Sequence, residues 1–135
     1  MRFVDTNVLL YAVSRHPEEQ PKRTIANELL YGTDLALSAQ VLQEFYVQAT
    51  RTNSNEALTH RQAADLVNSF ARFSVQPITS ELVQSAIETG GRYRISYWDA
   101  AIIEAARALG CTEVLSEDLS HGQDYGGVRV LNPFR

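Results

Sequence analysis

The sequence predicts an α/β protein, a three-layer α/β/α sandwich around a short, mostly parallel central sheet. Two observations carry this. Short apolar runs suited to buried strands alternate with longer segments whose apolar residues recur at helical spacing. That alternation builds parallel sheets covered by helices on both faces. In addition, 135 residues with a 44% apolar share suit a single domain, residues 1–135, with a real core.

Taken in order, Phe3-Val4 reads as a buried strand. Residues 6–14 read as a helix with Val8, Leu9 and Ala12 along one side. The stretch RHPEEQPKR (15–23) is polar and marked by prolines, so it reads as a loop. A second helix carries Ile25, Ala26, Leu29 and Leu30, and Gly32-Thr33-Asp34 ends it. Leu35-Ala36-Leu37 is the next strand. Ser38 then caps a third helix bearing Val41, Leu42, Phe45 and Ala49. RTNSNEALTHR (51–61) is a loop between helices, and a fourth helix follows with Ala63, Leu66, Val67, Phe70 and Ala71. Residues 74–78 read as a strand. Residues 81–88 are helical, stopped by Gly90-Gly91. Residues 97–109 form a helix ended by Gly110. Val114-Leu115 is a strand, residues 116–127 a loop, and Val128-Arg129-Val130 the last strand.

Composition narrows the class of function. No run of 18 apolar residues is present, which excludes a helical membrane span. The N-terminus shows no signal-peptide pattern, and Cys111 is the only cysteine. Disulfides within the chain and cysteine-based metal clusters are therefore excluded, and a reducing, cytoplasmic setting is expected. The net charge of −4 argues weakly against a nucleic-acid partner. Against that, 11 of the 12 basic residues are arginine, Lys22 being the exception. This bias suits phosphate binding, or else reflects genome base composition.

Open α/β sheets place their sites beyond the carboxyl ends of the strands. Four acids fall near those ends. Asp5 directly follows the first strand, where it is either a helix N-cap or part of a site. Glu44 lies on the third helix, about 60° to the side of Val41 at the edge of the apolar face, where it is either a solvated boundary residue or points into a crevice at the strand ends. Asp99 stands three residues after Ser96, the capping-box spacing, yet shares a helical face with Ile102, Ile103 and Ala106. Asp118 follows the Val114-Leu115 strand, with Glu117 as a competing acid and Asp124 as a weaker candidate. Convergence of such acids is costly, because two like charges ~4 Å apart repel by roughly 4 kcal/mol at an effective dielectric near 20. Cations or raised pKa values would relieve this, and hard oxygen donors select Mg²⁺ or Mn²⁺. Without these four acids, the remaining 12 acidic residues balance the 12 basic ones.

Together, FVDTNVLLYA, the glutamate of SAQVLQEFY, ISYWDAAIIEAA and LSEDLSHGQDYGGVRVLNPF resemble the PIN domain family, in particular its VapC-type toxins. The resemblance spans essentially the whole chain. It implies a metal-dependent endoribonuclease, the toxin of a toxin–antitoxin pair. Asp5, Glu44, Asp99 and Asp118 match the family's four acidic positions and would hold Mg²⁺, with Mn²⁺ as a substitute. Ser116 matches the small hydroxyl residue two positions before the last acid. Thr6 and Asn7 match the polar pair that helps hold the first aspartate. Whether Glu117 or Asp124 assists the metal stays open at this level.

In that reading the cation acidifies an attacking water and the phosphodiester is cut to leave a 5′-phosphate and a 3′-hydroxyl. The segment GGRYRISYW interleaves Arg92, Tyr93, Arg94, Tyr97 and Trp98 just before Asp99. Arg92 and Arg94 would meet RNA phosphates and Trp98 a base, or these side chains serve packing and solvation. The resemblance also implies a homodimer and a cognate antitoxin protein. Leu9, Leu10, Ile25, Leu29 and Leu30 of the first two helices are candidates for the groove the antitoxin occupies, although core packing explains most of them equally well. A phospho-acceptor receiver domain is excluded, since it needs a late lysine and this chain has only Lys22. A haloacid-dehalogenase-type phosphatase needs Asp-x-Asp where this chain has Asp5-Thr6-Asn7. A non-catalytic RNA-binding or scaffold protein of the same fold is the remaining alternative.

Overall fold

The computed structural model describes residues 1–52 and 56–135. The elements run β1 (Arg2–Val4), α1 (Thr6–Ala12), a 3₁₀ turn (Pro17–Glu19), α2 (Gln20–Leu30), β2 (Leu35–Ser38), α3 (Ala39–Ala49), α4 (His60–Phe70), β3 (Ser74–Gln76), α5 (Ser80–Tyr93), α6 (Tyr97–Ala108), β4 (Glu113–Leu115) and β5 (Arg129–Leu131). The five strands form one sheet in the order β3-β2-β1-β4-β5, and every neighbouring pair is parallel. The result is the α/β/α sandwich.

Parallel strands need crossover connections, and those joining β1 to β4 are helical. The chain moves from β1 outward to β2 and β3 through α1 to α4, which pack on one another. It then returns across the sheet through the α5–α6 pair to β4, on the far side of β1. The strand order thus reverses between β1 and β4, the point beyond whose carboxyl ends open α/β sheets place their sites. Asp5 lies at that end of β1, and Ser116 to Asp118 lie at that end of β4.

The core explains the apolar runs. Phe3, Val4, Leu37, Val114, Leu115 and Val130 are buried in the sheet, with Val8, Leu9, Val41, Phe45, Ile102 and Ile103 of the helices packed into the same cluster. Phe45 meets Phe70 edge to face at 5.1 Å between centroids, which joins α3 to α4.

Several boundaries differ from the sequence reading. The polar stretch 15–23 holds the 3₁₀ turn and the first turn of α2. Pro17 and Pro21 sit at the first positions of their helices, where a missing N–H costs no hydrogen bond. Gly90-Gly91 does not stop α5, which runs on to Tyr93 and ends on Arg94 in the left-handed region at φ 56°. A Cβ on Gly90 would lie 3.3 Å from the Ile95 carbonyl oxygen and 3.7 Å from Ala100 Cβ. The glycine lets α5 and α6 approach, and that packing outweighs its propensity cost of about 1 kcal/mol. α1 ends at Ala12, β3 at Gln76, and β5 is shifted one residue to Arg129–Leu131. Of the 51–61 loop, residues 53–55 lie outside the described residues, and residues 60–61 already belong to α4.

Candidate active site

Asp5 closes β1 and begins α1. Its backbone N–H donates to the Leu115 carbonyl of β4 at 3.0 Å, so the residue is fixed to two strands. It is buried at 7% exposure and acts as the N-cap of α1, accepting from the Thr6 N–H at 2.7 Å through Oδ1. Its other oxygen, Oδ2, accepts from the Ser116 hydroxyl at 2.8 Å. The cap and site readings of Asp5 are thus compatible.

Ser116 is fully buried and serves four partners, one of them Asn7 Nδ2, which donates to its Oγ at 3.5 Å. Besides donating to Asp5, its Oγ accepts from the N–H groups of Asp118 at 3.1 Å and Leu119 at 3.4 Å. Asn7 steadies the same loop: its Nδ2 donates to Asp118 Oδ2 at 3.2 Å and its Oδ1 accepts from the Glu117 N–H at 3.2 Å. The Thr6 hydroxyl turns the other way and donates to Glu44 Oε2 at 2.8 Å. Thr6 holds Asp5 through its backbone and Glu44 through its side chain, while Asn7 holds Asp118 directly and donates to the Ser116 hydroxyl that holds Asp5.

Glu44 is half-buried on α3, and its second oxygen accepts from Gln40 Nε2 at 2.9 Å. Gln40 also reaches the Trp98 carbonyl at 3.4 Å, at the start of α6. The sequence reading passed over Gln40, although Gln and Glu four residues apart on a helix are natural partners. Asp99, in the first turn of α6, is half-buried beside the buried Ile102, Ile103 and Ala106. Its N–H is capped by the Ser96 hydroxyl at 3.0 Å.

The electrostatics bind these four positions together. Burial raises the Asp5 carboxyl to about 6, with the charges of Asp118 and Glu44 adding to the rise and the Ser116 and Thr6 hydrogen bonds opposing it. Burial likewise lifts Asp99 above the usual carboxylate range, opposed by Ser96 and reinforced by Asp118 and Glu44. Among the described residues, the ion pairs involve Asp34, Glu117, Asp65 and Glu104, and none of these four acids. Asp5 is buried, Glu44 and Asp99 are half-buried and Asp118 is exposed; carboxylates so grouped, without an ion-pair partner among the described residues, suit a hard divalent cation. No three His, Cys, Asp or Glu side chains among the described residues form a ready ligand cluster. An ion held by these acids would therefore keep several of its waters, as Mg²⁺ does.

The two competing acids are engaged elsewhere. Glu117 receives the Lys22 ammonium and the Tyr11 hydroxyl. Partial burial pushes its carboxyl up, but those two donors and the Lys22 charge outweigh burial and hold it below its ordinary value. Asp124 is exposed and accepts from the Gly127 N–H at 2.6 Å within its own turn.

The PIN domain family profile matches residues 2–122. This chain belongs to the PIN domain family. Comparison with curated proteins returned no relative. Among solved structures, a toxin–antitoxin complex from Klebsiella pneumoniae is 18% identical with a TM-score of 0.71, over 98% of each chain. VapC20 of Mycobacterium tuberculosis, described as a sarcin–ricin loop cleaving toxin, is 19% identical with a TM-score of 0.68, over 87% of this chain and 90% of that one. VapBC2 of Rickettsia felis, bound to a fragment of its promoter DNA, is 16% identical with a TM-score of 0.66, over 96% of each chain. Identities this low establish a shared fold.

On this PIN fold, Trp98 is 64% exposed immediately before Asp99, braced edge to face by Tyr97 at 5.0 Å. Arg92 and Arg94 are exposed at the end of α5, and the Arg92 guanidinium lies over the Tyr93 ring at 5.8 Å. Tyr93 in turn packs edge to face on the buried Tyr125 at 5.1 Å. Burial, and then the charge of Asp99, raise the Tyr125 phenol. This places Tyr125, which the sequence reading passed over, on the Asp99 side of the candidate site. Arg107 fixes its peptide, donating to the carbonyls of Tyr125 at 2.5 Å and Gly126 at 2.7 Å.

The proposed groove on the first two helices is narrower than the sequence implied. Leu9 is sealed in the core and Leu30 is 9% exposed, so those two offer almost no surface. A larger concave surface, of about 590 Å³, lies between α3 and α4 and is lined by Leu42, Tyr46, Val47, Ala64 and Val67 among others. No described helix is long and apolar enough to cross a membrane.

Proposed function

We propose that residues 1–135 act as one Mg²⁺-dependent endoribonuclease domain, the cytoplasmic toxin of a toxin–antitoxin pair. The observation that carries this reading is the grouping of Asp5, Glu44, Asp99 and Asp118: the charges of Glu44 and Asp118 help to raise the carboxyls of both Asp5 and Asp99, and none of the four has an ion-pair partner among the described residues. The similarity in fold to a toxin described as cleaving the sarcin–ricin loop supports RNA as substrate. Similarity to toxin–antitoxin complexes supports an antitoxin partner; a homodimer is part of the proposal.

Asp5, Asp99 and Asp118 would hold the cation, with Glu44 sharing it or recruiting a second ion with the substrate phosphate. Bound there, the cation supplies Lewis acidity, lowering the pKa of the attacking water and offsetting charge on the phosphoryl oxygens. Asp5 cannot swing away, because its backbone is tied to β4 and both its oxygens are hydrogen-bonded. Ser116 and Asn7 keep Asp118 on the same side as Asp5. No histidine is needed as base.

The purified chain is expected to cleave RNA with Mg²⁺ or Mn²⁺, leaving 5′-phosphate ends, and to be inactive in EDTA. Full activity in EDTA would overturn the metal mechanism.

Trp98 is the proposed platform for a base of single-stranded RNA, and Arg92 and Arg94 the contacts for flanking phosphates. Stacking on an aromatic is worth about 1–3 kcal/mol per base, so Trp98→Ala should raise KM by roughly 5- to 100-fold with kcat little changed. Steady-state kinetics on a short RNA would show this. An unchanged KM removes Trp98 from the substrate path.

A further inference from the structure

The geometry points to Gln40 as a positioning residue for Glu44, one that fixes this carboxylate without neutralising it. The inference rests on reading Glu44 as part of the proposed metal centre. Gln40 is 9% exposed in the first turn of α3, between Ala39 and the fully buried Val41. Packing alone favours an apolar side chain there, since a buried amide is tolerated only when its polar atoms find partners. The partners it finds are Glu44 Oε1 at 2.9 Å and the Trp98 carbonyl at 3.4 Å. One amide group thus ties α3 to the peptide immediately before Asp99. With the Thr6 hydroxyl on Oε2, both Glu44 oxygens are held by neutral donors from two helices.

The neutrality of those donors is the informative feature. An arginine at position 40 would hold a carboxylate more strongly, but its positive charge would cancel the charge that a cation needs. A neutral amide fixes the rotamer and leaves the negative charge and the remaining lone pairs available. This parallels outer hydrogen bonds to metal-ligating carboxylates generally, whose loss typically costs about 10- to 100-fold in metal affinity.

The test is a double-mutant cycle read by Mn²⁺ binding, followed by electron paramagnetic resonance in the absence of RNA. Gln40→Met keeps the length and burial of the side chain and removes the donor. It should weaken Mn²⁺ binding by roughly tenfold or more while the protein stays folded by thermal melt. In a Glu44→Gln background the same substitution should add no further loss, because Gln40 acts through Glu44. Wild-type affinity in Gln40→Met alongside weakened Glu44→Gln overturns the inference and leaves the metal-centre reading standing. Equal losses in both backgrounds mean a packing role and also overturn it. Wild-type affinity in Glu44→Gln removes Glu44 from the centre and overturns both. If the methionine variant does not fold, Gln40→Leu takes its place in the same cycle.

Discussion

Asp5→Asn is expected to abolish metal-dependent cleavage, by on the order of 10³-fold, and yet to make the metal-free protein more stable near neutral pH. The two effects share one cause. The Asp5 carboxyl is raised from 3.8 to about 6 by burial and neighbouring charges. The folded state therefore holds this proton more tightly than the unfolded chain does. Its contribution to stability is full below pH 3.8 and is lost as pH rises through about 6. By pH 7 the ionised group costs the fold about 3 kcal/mol. Asparagine removes that cost. It also places an N–H₂ where a carboxylate oxygen accepted from Thr6 or Ser116, which trims the gain. A net gain of about 1–2 kcal/mol corresponds to a rise of several degrees in Tm.

Thermal melts in EDTA between pH 4 and pH 8 would check this. Wild type should lose stability across that range more steeply than the variant. Added Mg²⁺ should reverse the order, because ligand binding stabilises the wild type alone. A variant less stable than wild type in EDTA at pH 7.5 would contradict the strain assigned to Asp5. Retained cleavage would remove Asp5 from the chemistry.

Ser116→Ala should have the next largest effect, and here stability and activity should fall together. The hydroxyl is fully buried and joins Asp5 Oδ2 to the N–H groups of Asp118 and Leu119. Its removal leaves the buried Asp5 oxygen and Leu119 N–H short of a partner, for a loss of about 2–4 kcal/mol. Cleavage should drop by roughly 10- to 100-fold through misplacement of Asp5 and Asp118. The acid limb of the pH–rate profile should also move upward, since the Ser116 bond is the largest influence holding the Asp5 pKa down. Urea unfolding in EDTA and a pH–rate profile would register both effects. A destabilised variant with an unmoved acid limb would show that Ser116 supports the loop without tuning Asp5.

The contrast between these residues shows how much of the site was legible in the sequence. Asp5 stood out because a charge directly after an apolar strand requires a partner. Asp118 stood out for its place after another strand, and Asp99 for an acid on an apolar helical face. The identity of those partners was not legible. Thr6 and Asn7 are adjacent in the chain, but helical rotation sends one hydroxyl to Glu44 and the other side chain to the Asp118 loop. Glu117 and Asp118 are adjacent acids, and their sequence alone does not rank them. Lys22 ranks them by taking Glu117, across 95 residues of chain.

By itself the sequence determined the alternation of strands and helices, the placing of Asp5 and Asp118 after strands and of Glu44 and Asp99 on helices, and the exclusion of a disulfide within the chain. These follow from local periodicity and residue type. Only the tertiary structure decided that α5 runs through two glycines, because the reason is the approach of α6 and not the propensity of α5. Only it decided which face of α3 meets α6, and hence that Gln40 and Thr6 share Glu44 between them. Burial and the summed field of distant carboxylates exist only once the chain has closed β4 against β1. That closure turns Asp5 from an ordinary helix cap into a carboxyl held near 6.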